Sequence, residues 1–193
     1  MNPEQSVGEF TGLILAGGQS RRFGSNKALH PIKGKPMIQW VYDALKSVCD
    51  TILVSCQDAA LFDLEAGFVA DAYPNSGPLA GLEAGLRTST TPWTIVLPVD
   101  MPYIEPALLD QLKQACINGL DAECDAVLVR DQFGIQPLVG CYHKRVHATV
   151  NERLKKEDYA VMPFLRTLNY GIVELPETSL ININKLKDLS SGS

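Results

Sequence analysis

Positive charge and glycine are concentrated in one short stretch near the start of the chain, "GGQSRRFGSNK", from Gly17 to Lys27. Adjacent glycines let a backbone adopt positive φ and approach a ligand closely, and successive N–H groups in such a loop can bind an anion. Arg21, Arg22 and Lys27 add positive charge. The net charge of the chain is −5, so this local basic loop indicates a small anionic ligand, such as a phosphate chain, rather than nucleic acid.

Two common phosphate-binding motifs do not fit this stretch. A P-loop requires G-x-x-x-x-G-K-[ST], but Gly34 and Lys35 are followed by Pro36, and Leu29 stands where the first glycine would fall. A dinucleotide-binding fold requires G-x-G-x-x-G opening into a helix, whereas the glycines here are adjacent. The remaining alternative for the loop is a solvated turn with incidental arginines.

Two carboxylates are predicted to share an edge with the basic loop. In "VLPVDMPYI", Asp100 follows an apolar strand, and Asp71 follows another. A lone aspartate in a loop is most often a turn or N-cap residue. However, Mg²⁺ is usually held by one or two carboxylates together with substrate phosphates. Basic residues after one strand and a carboxylate after each of two others therefore favour a site for phosphate and magnesium.

The elements that must position these groups alternate along the chain. The predicted strands are Gly12–Ala16, Thr51–Ser55, Phe68–Ala70, Trp93–Leu97, Ala126–Val129, Leu138–Tyr142 and Gly171–Glu174. Helices are predicted to begin at Pro36 and Pro78 and to cover Asp58–Ala66, Pro106–Ala115, Val146–Leu154 and Pro163–Leu168. This alternation predicts a parallel sheet with helices on both faces, in which ligands bind beyond the carboxyl ends of the strands.

Composition and terminal segments favour a cytoplasmic protein. The five cysteines form no C-x-x-C motif, which favours reduced, buried thiols over a disulfide framework or a zinc ribbon. Met1–Phe10 lacks the pattern of a signal peptide, and no apolar run approaches membrane-spanning length. His143 and His147 are four apart, but Lys144 and Arg145 between them disfavour a metal site.

Four motifs together resemble one known family. "LILAGGQSRRFGSNKAL" is similar to the L-A-G-G-x-S-x-R-M-G-x-D-K signature of the molybdenum cofactor guanylyltransferases, and "GPLAGL", "LPVDMPY" and "ININ" resemble that family's later motifs, in order. The resemblance implies a Rossmann-like three-layer α/β/α nucleotidyltransferase fold with a mostly parallel sheet. It would form a single domain over residues 1–193, with a nucleotide-binding part at 10–115, an acceptor-binding part at 116–189 and a disordered tail at 190–193.

Three departures from the family pattern affect the expected site. Asn26 stands where an aspartate is common, and Ser55 where asparagine is frequent. Around Tyr159–Met162 the family can carry arginines suited to the acceptor phosphate, but "YAVM" has none. The candidates to replace them are Arg153, Lys155, Lys156 and Arg166.

The resemblance also implies a reaction, in which GTP and molybdenum-bearing molybdopterin give a guanine dinucleotide cofactor and pyrophosphate, with Mg²⁺ as the metal. The implied catalytic residues are Arg22, Lys27 and Asp100, and Asp100 is also the implied metal ligand. GTP would contact Leu15, Ala16, Gly17, Gly18, Lys27, Ser55, Asp71, Gly77 and Asp100, and the acceptor would contact Asn182 and Asn184.

Partners and rival functions follow from the same resemblance. The implied partners are GTP and molybdopterin, with other molybdenum cofactor biosynthesis proteins or molybdoenzyme chaperones as candidate protein partners. The paired glycines at Gly17 and Gly18 favour guanine over cytosine. The alternatives are a cytidylyltransferase or a sugar-nucleotide enzyme of the same fold, and a non-catalytic GTP-binding regulator.

Overall fold

The computed structural model describes residues 9–17, 26–118 and 123–175 of the 193-residue chain. Its strands are β1 Phe10–Leu15, β2 Pro31–Ile32, β3 Lys35–Pro36, β4 Thr51–Ser55, β5 Gly67–Val69, β6 Trp93–Pro98, β7 Ala126–Asp131, β8 Gly134–His143 and β9 Tyr170–Glu174. The α-helices are α1 Met37–Lys46, α2 Pro78–Thr88, α3 Pro106–Asn118, α4 Val146–Lys155 and α5 Val161–Leu165. Short 3₁₀ turns cover Lys27–Leu29 and Ala59–Leu61.

Seven strands form a mostly parallel sheet in the order β5-β4-β1-β6-β8-β7-β9. The pairs β1–β4, β1–β6, β4–β5 and β7–β9 are parallel, whereas β8 is antiparallel to both β6 and β7. The carboxyl ends of β5, β4, β1 and β6 therefore lie side by side, and we call this row of strand ends the carboxyl edge. The predicted fold class is confirmed.

Each face of the sheet packs against its own helices. Along β1, Phe10 and Ile14 belong to one hydrophobic core, whereas Leu13 and Leu15 belong to the other, as expected because successive strand residues point to opposite faces. The first core includes buried residues of α1 and α3, and the second includes buried residues of α2, α4 and α5. Burial on both faces explains why the central strands are continuously apolar.

Two predicted helices differ from the structure. The helix predicted over Asp58–Ala66 is wrong, because this segment holds only the 3₁₀ turn Ala59–Leu61. The Asp58 side chain accepts a hydrogen bond from the Ala60 N–H at 3.0 Å, and Leu61 is exposed, so no apolar helical face forms. The last helix is Val161–Leu165 rather than Pro163–Leu168, and its Pro163 lies in the first turn, where proline is tolerated.

One small hairpin is absent from the sequence prediction. Strands β2 and β3 pair antiparallel through a two-residue turn, in which Lys33 and Gly34 have φ of 50° and 81°, the conformation that short hairpins favour. Trp40 donates a hydrogen bond from Nε1 to the Ile32 carbonyl at 3.1 Å. The hairpin is thereby fixed to α1.

The cysteines and helices bear on the expected environment of the protein. All five cysteines are free and buried, in agreement with the predicted thiols, and burial raises the pKa of Cys49 to about 12. No helix within the described ranges is both long enough and apolar enough to cross a membrane. The division into nucleotide-binding and acceptor-binding parts stays a prediction, and the tail at 190–193 lies outside the described residues.

Candidate nucleotide site

Backbone hydrogen bonds fasten three strand ends together at the carboxyl edge. The Ala16 N–H, just after β1, donates to the Ser55 carbonyl at the end of β4 over 3.0 Å. The Val99 N–H, just after β6, donates to the Leu15 carbonyl over 3.2 Å. The hydrogen-bonded ladder between these strands thus continues one residue beyond their ends. The backbone that carries the following side chains is therefore held in place.

A lysine from the 3₁₀ turn that follows the glycine-rich segment and an aspartate that follows β6 form an ion pair. Lys27 Nζ lies 2.9 Å from Asp100 Oδ2, and the two side chains are 16% and 22% exposed. Lys27 begins the 3₁₀ turn after the glycine-rich segment, and Asp100 lies two residues beyond β6. The structure therefore brings together the two residues that the sequence nominated for phosphate and for metal.

Asn26, which departs from the family signature, has a structural role that aspartate could also fill. Its side-chain Oδ1 accepts a hydrogen bond from the Ala28 N–H at 3.0 Å, which caps the turn carrying Lys27. Asparagine and aspartate serve almost equally well as N-caps. The missing carboxylate therefore leaves the support of Lys27 intact.

A second cluster of polar residues at the carboxyl edge is centred on Asp71, which follows β5. Ser55 Oγ donates to Asp71 Oδ1 at 2.8 Å. A Cβ added at Gly17 would lie 3.6 Å from Asp71 Oδ2, so the backbone after β1 passes close to this carboxylate. The structure thus places Gly17, Ser55 and Asp71, all predicted to contact GTP, next to one another.

Glycines of "GPLAGL" bring α2 close to this group. A Cβ at Gly81 would lie 2.7 Å from Ser55 Oγ and 3.0 Å from Leu15 Cδ2, so a larger residue would push α2 away from β1 and β4. Gly77 has open space around it but adopts φ of 72°, a conformation that favours glycine. Gly77 therefore supports the start of α2, and a contact with GTP stays a prediction.

Burial raises the pKa of the Asp71 carboxyl above its ordinary value. The hydrogen bond from Ser55 acts in the opposite direction, and the nearby Glu83 carboxylate adds to the rise. A partly desolvated carboxylate at a strand end is a common feature of ligand sites. Asp71 thus combines the expected position with a perturbed environment.

The Asp71 charge is expected to lower stability at neutral pH. The raised pKa means that the folded protein holds this proton more tightly than the unfolded chain, so stability falls as pH rises from the ordinary carboxyl value through the folded value. We therefore expect Asp71→Asn to raise the free energy of unfolding at neutral pH, and to match the wild type at a pH below the ordinary carboxyl value. Urea denaturation at the two pH values checks this, and a less stable variant at neutral pH would contradict it.

Several predicted site residues lie outside the described residues, namely Gly18, Arg21, Arg22, Asn182 and Asn184. Their roles stay predictions. Of the cations nominated for the acceptor phosphate, Arg153 is paired with Asp158, with Nη2 2.6 Å from Oδ2, and so helps to hold the turn after α4. Lys155, Lys156 and Arg166 are exposed.

The two histidines that lie four residues apart, His143 and His147, have different partners. His143 ends β8, and its Nδ1 accepts hydrogen bonds from the Arg145 N–H at 3.1 Å and from Arg145 Nε at 2.8 Å. His147 Nε2 lies 2.9 Å from Glu83 Oε1. Across residues 9–17, 26–118 and 123–175, no three His, Cys, Asp or Glu side chains are grouped so as to hold a metal ion.

Sequence reasoning missed Glu83, which lies in α2 with its side chain only 3% exposed. Its position is four residues after Leu79, on the apolar face of the helix. A glutamate on the apolar face of a predicted helix could have identified Glu83 as a buried residue with a polar partner, since buried carboxylates are rare unless they are paired.

Comparisons with known proteins identify the family of this chain. The profile of a family described as "MobA-like NTP transferase domain" matches residues 12–170. A probable molybdenum cofactor guanylyltransferase of Aquifex aeolicus is 33% identical over 183 residues, covering 93% of this chain and 88% of that protein. A protein of the same name from Natronomonas pharaonis is 34% identical over 177 residues, covering 87% and 85%.

A solved structure shows the same fold. The molybdopterin-guanine dinucleotide biosynthesis protein A of Archaeoglobus fulgidus superposes with a TM-score of 0.78 at 25% identity, covering 94% of this chain and 95% of that one. The resemblance inferred from the four sequence motifs is confirmed, and the rival functions on the same fold are not favoured. Since the family profile and the relatives both extend over most of its length, this chain belongs to the MobA-like NTP transferases, and among them to the molybdenum cofactor guanylyltransferase family.

Proposed function

We propose that this protein transfers GMP from GTP to molybdenum-bearing molybdopterin, forming the guanine dinucleotide cofactor and releasing pyrophosphate. Family membership supports the reaction class, and the names of the relatives support the substrates. The observation that carries the proposal is the Lys27–Asp100 pair at the carboxyl edge, because it combines a phosphate-binding cation with a carboxylate suited to a metal ion.

In the proposed reaction, a terminal phosphate oxygen of the acceptor attacks the α-phosphorus of GTP. A new P–O bond forms there, and the bond from the α-phosphorus to the bridging oxygen of the β-phosphate breaks, so pyrophosphate leaves with the electron pair. A phosphate oxyanion is already a nucleophile at neutral pH, so the reaction needs no general base. Both reactants are anions, and catalysis consists mainly of positioning and charge stabilisation.

Lys27 is proposed to neutralise the triphosphate. Its ammonium is held at the carboxyl edge by Asp100 and can exchange this partner for phosphate oxygens when GTP binds. Arg22 is the second proposed cation, on the strength of the sequence motif. Together they would counter the charge that builds up on the departing pyrophosphate.

Asp100 is proposed to hold Mg²⁺. A single carboxylate fits an ion that completes its coordination with substrate phosphates, which is the usual arrangement for magnesium. When bound, the ion would supply positive charge to the phosphate oxygens.

The base and the acceptor are assigned to different parts of the chain. The guanine is proposed to lie against Leu15–Gly17, Ser55 and Asp71, where the carboxyl edge offers backbone, hydroxyl and carboxylate groups. The acceptor is proposed to contact Asn182 and Asn184, since amides suit the donors and acceptors of a pterin edge. We further propose that the protein acts in the cytoplasm and passes its product to molybdoenzymes or their chaperones.

A pyrophosphate-release assay tests the function. Each of the four ribonucleoside triphosphates is supplied with Mg²⁺, with and without molybdenum-bearing molybdopterin. We expect release only with GTP and the acceptor together. Release with CTP would favour a cytidylyltransferase, and GTP binding without release under any of these conditions would favour a regulator.

Loss of Lys27 is expected to weaken GTP binding. A hydrogen bond to a charged group is worth about 1.5–3 kcal/mol, so Lys27→Ala should raise the dissociation constant for GTP about tenfold or more and slow transfer. Isothermal titration with GTP measures the affinity, and a melting curve checks the fold. The control is Lys46→Ala, which removes an exposed lysine at the end of α1. Unchanged affinity and rate in Lys27→Ala would make Lys27 a bystander.

A further inference from the structure

The loop that carries Asp71 connects β5 to α2 and consists of residues 70–77, which we call the Asp71 loop. Asn75 and Gly77 have φ of 64° and 72°, and the Ser76 N–H donates to the Tyr73 carbonyl at 3.3 Å. The loop contacts the candidate site through the hydrogen bond from Ser55 to Asp71. Its tight turns determine where the Asp71 carboxylate lies.

A residue from the later half of the chain holds the other side of this loop. The Tyr73 hydroxyl lies 2.7 Å from Asn151 Oδ1, to which it donates a hydrogen bond across 78 residues of sequence. The Tyr73 side chain is partly buried and packs against the core shared by α2 and α4. Asn151 lies in α4, which belongs to the part of the chain predicted to bind the acceptor.

A hydrogen-bonding contact fixes the same face of α4 to α2. His147 lies four residues before Asn151, so their side chains share one face of the helix. His147 Nε2 is 2.9 Å from Glu83 Oε1, and Arg87 Nε is 3.3 Å from the same oxygen. A buried carboxylate is costly without partners, so Glu83 favours a fixed position of α4 against α2.

The orientation of Tyr73 is therefore determined by α4 as well as by the loop itself. We propose that Tyr73 and Asn151 are positioning residues, through which α4 holds the Asp71 loop in the geometry that nucleotide binding requires. This inference rests on the proposed GTP-dependent transfer, in which Asp71 lies beside the nucleotide. It also connects the two halves of the chain, since a helix of the acceptor part supports a loop of the nucleotide part.

The test removes the two partners singly and together. In Tyr73→Phe and Asn151→Ala we expect the dissociation constant and the KM for GTP to rise about threefold to tenfold, while kcat changes less than twofold. The reason is that losing the contact displaces the Asp71 loop in the free protein, which weakens GTP binding rather than the transfer step. The double variant should bind GTP no more weakly than the weaker-binding of the two single variants, as expected for residues that act through one contact. Additive losses in the double variant would overturn the proposal.

The control variant is Tyr42→Phe. It also removes a tyrosine hydroxyl, one that donates to the Glu65 carbonyl at 3.1 Å in the opposite core. We expect it to lower the melting temperature slightly and to leave the affinity for GTP unchanged. If Tyr73→Phe and Asn151→Ala behave as Tyr42→Phe does, the contact is merely structural and the proposal is wrong.

A measurement without nucleotide separates this inference from the proposed function. Carbon-detected NMR can follow the Asp71 carboxyl as pH changes. Tyr73→Phe should move the pKa of Asp71 from its raised value toward the ordinary one, because a loosened loop admits water to the carboxylate. An unchanged Asp71 pKa would overturn the proposal even if GTP is the substrate. If the wild type binds no GTP, the proposed function fails, and the Asp71 titration still decides the positioning role.

Discussion

Replacing Asp100 by asparagine is expected to reduce GMP transfer by about a hundredfold or more, the scale of removing one electrostatic contact in a transition state. Asparagine has nearly the same shape but carries no charge, and it is a far poorer ligand for a hard divalent cation. The fold should remain intact, because asparagine has the size of aspartate and its amide oxygen can still accept a hydrogen bond from Lys27 Nζ. Initial rates across a magnesium titration, together with a melting curve, measure both effects.

A matched control for this substitution is present on the surface. Asp43 in α1 forms an ion pair with Lys35, so Asp43→Asn removes the same kind of contact away from the carboxyl edge. We expect that variant to keep the wild-type rate. If Asp100→Asn transfers GMP as fast as the wild type at every magnesium concentration, the metal ligand is elsewhere, and Asp71 is the next candidate.

The preference for GTP over ATP is expected to reach at least about a hundredfold in kcat/KM. Guanine and adenine differ in donors and acceptors around the 6-position, so a site whose polar groups pair with one base leaves buried groups unpaired with the other. The bonded Ser55 and Asp71 side chains offer such groups where Gly17 lets the backbone approach. Parallel assays with the two nucleotides at equal magnesium measure the ratio.

Ser55 provides a direct test of this explanation. Ser55→Ala removes the hydroxyl that orients Asp71 and should reduce the preference for GTP, whereas Ser47→Ala removes a hydroxyl bonded to the Ala44 carbonyl in α1 and should not. Equal turnover of GTP and ATP by the wild type, or a preference for CTP, would contradict the prediction.

The sequence alone determined the layered fold and the family. Continuous apolar runs marked the central strands, because strands buried on both faces need no polar side, and the motif order identified the guanylyltransferases. The helix predicted from the sequence at Asp58–Ala66 was wrong, and the hairpin of β2 and β3 was not predicted. Neither segment has the length or apolar periodicity from which local patterns can be recognised.

The partners of the site residues were decided by the tertiary structure. The Lys27–Asp100 pair joins residues 73 apart and Tyr73–Asn151 joins residues 78 apart. These contacts depend on the strand order β4-β1-β6 and on the packing of α4 against α2. Local patterns fix which residues are buried, but not which strands become neighbours. The sequence could therefore nominate Lys27, Asp71 and Asp100, whereas the contacts of Glu83, Tyr73 and Asn151 became visible only when distant elements packed together.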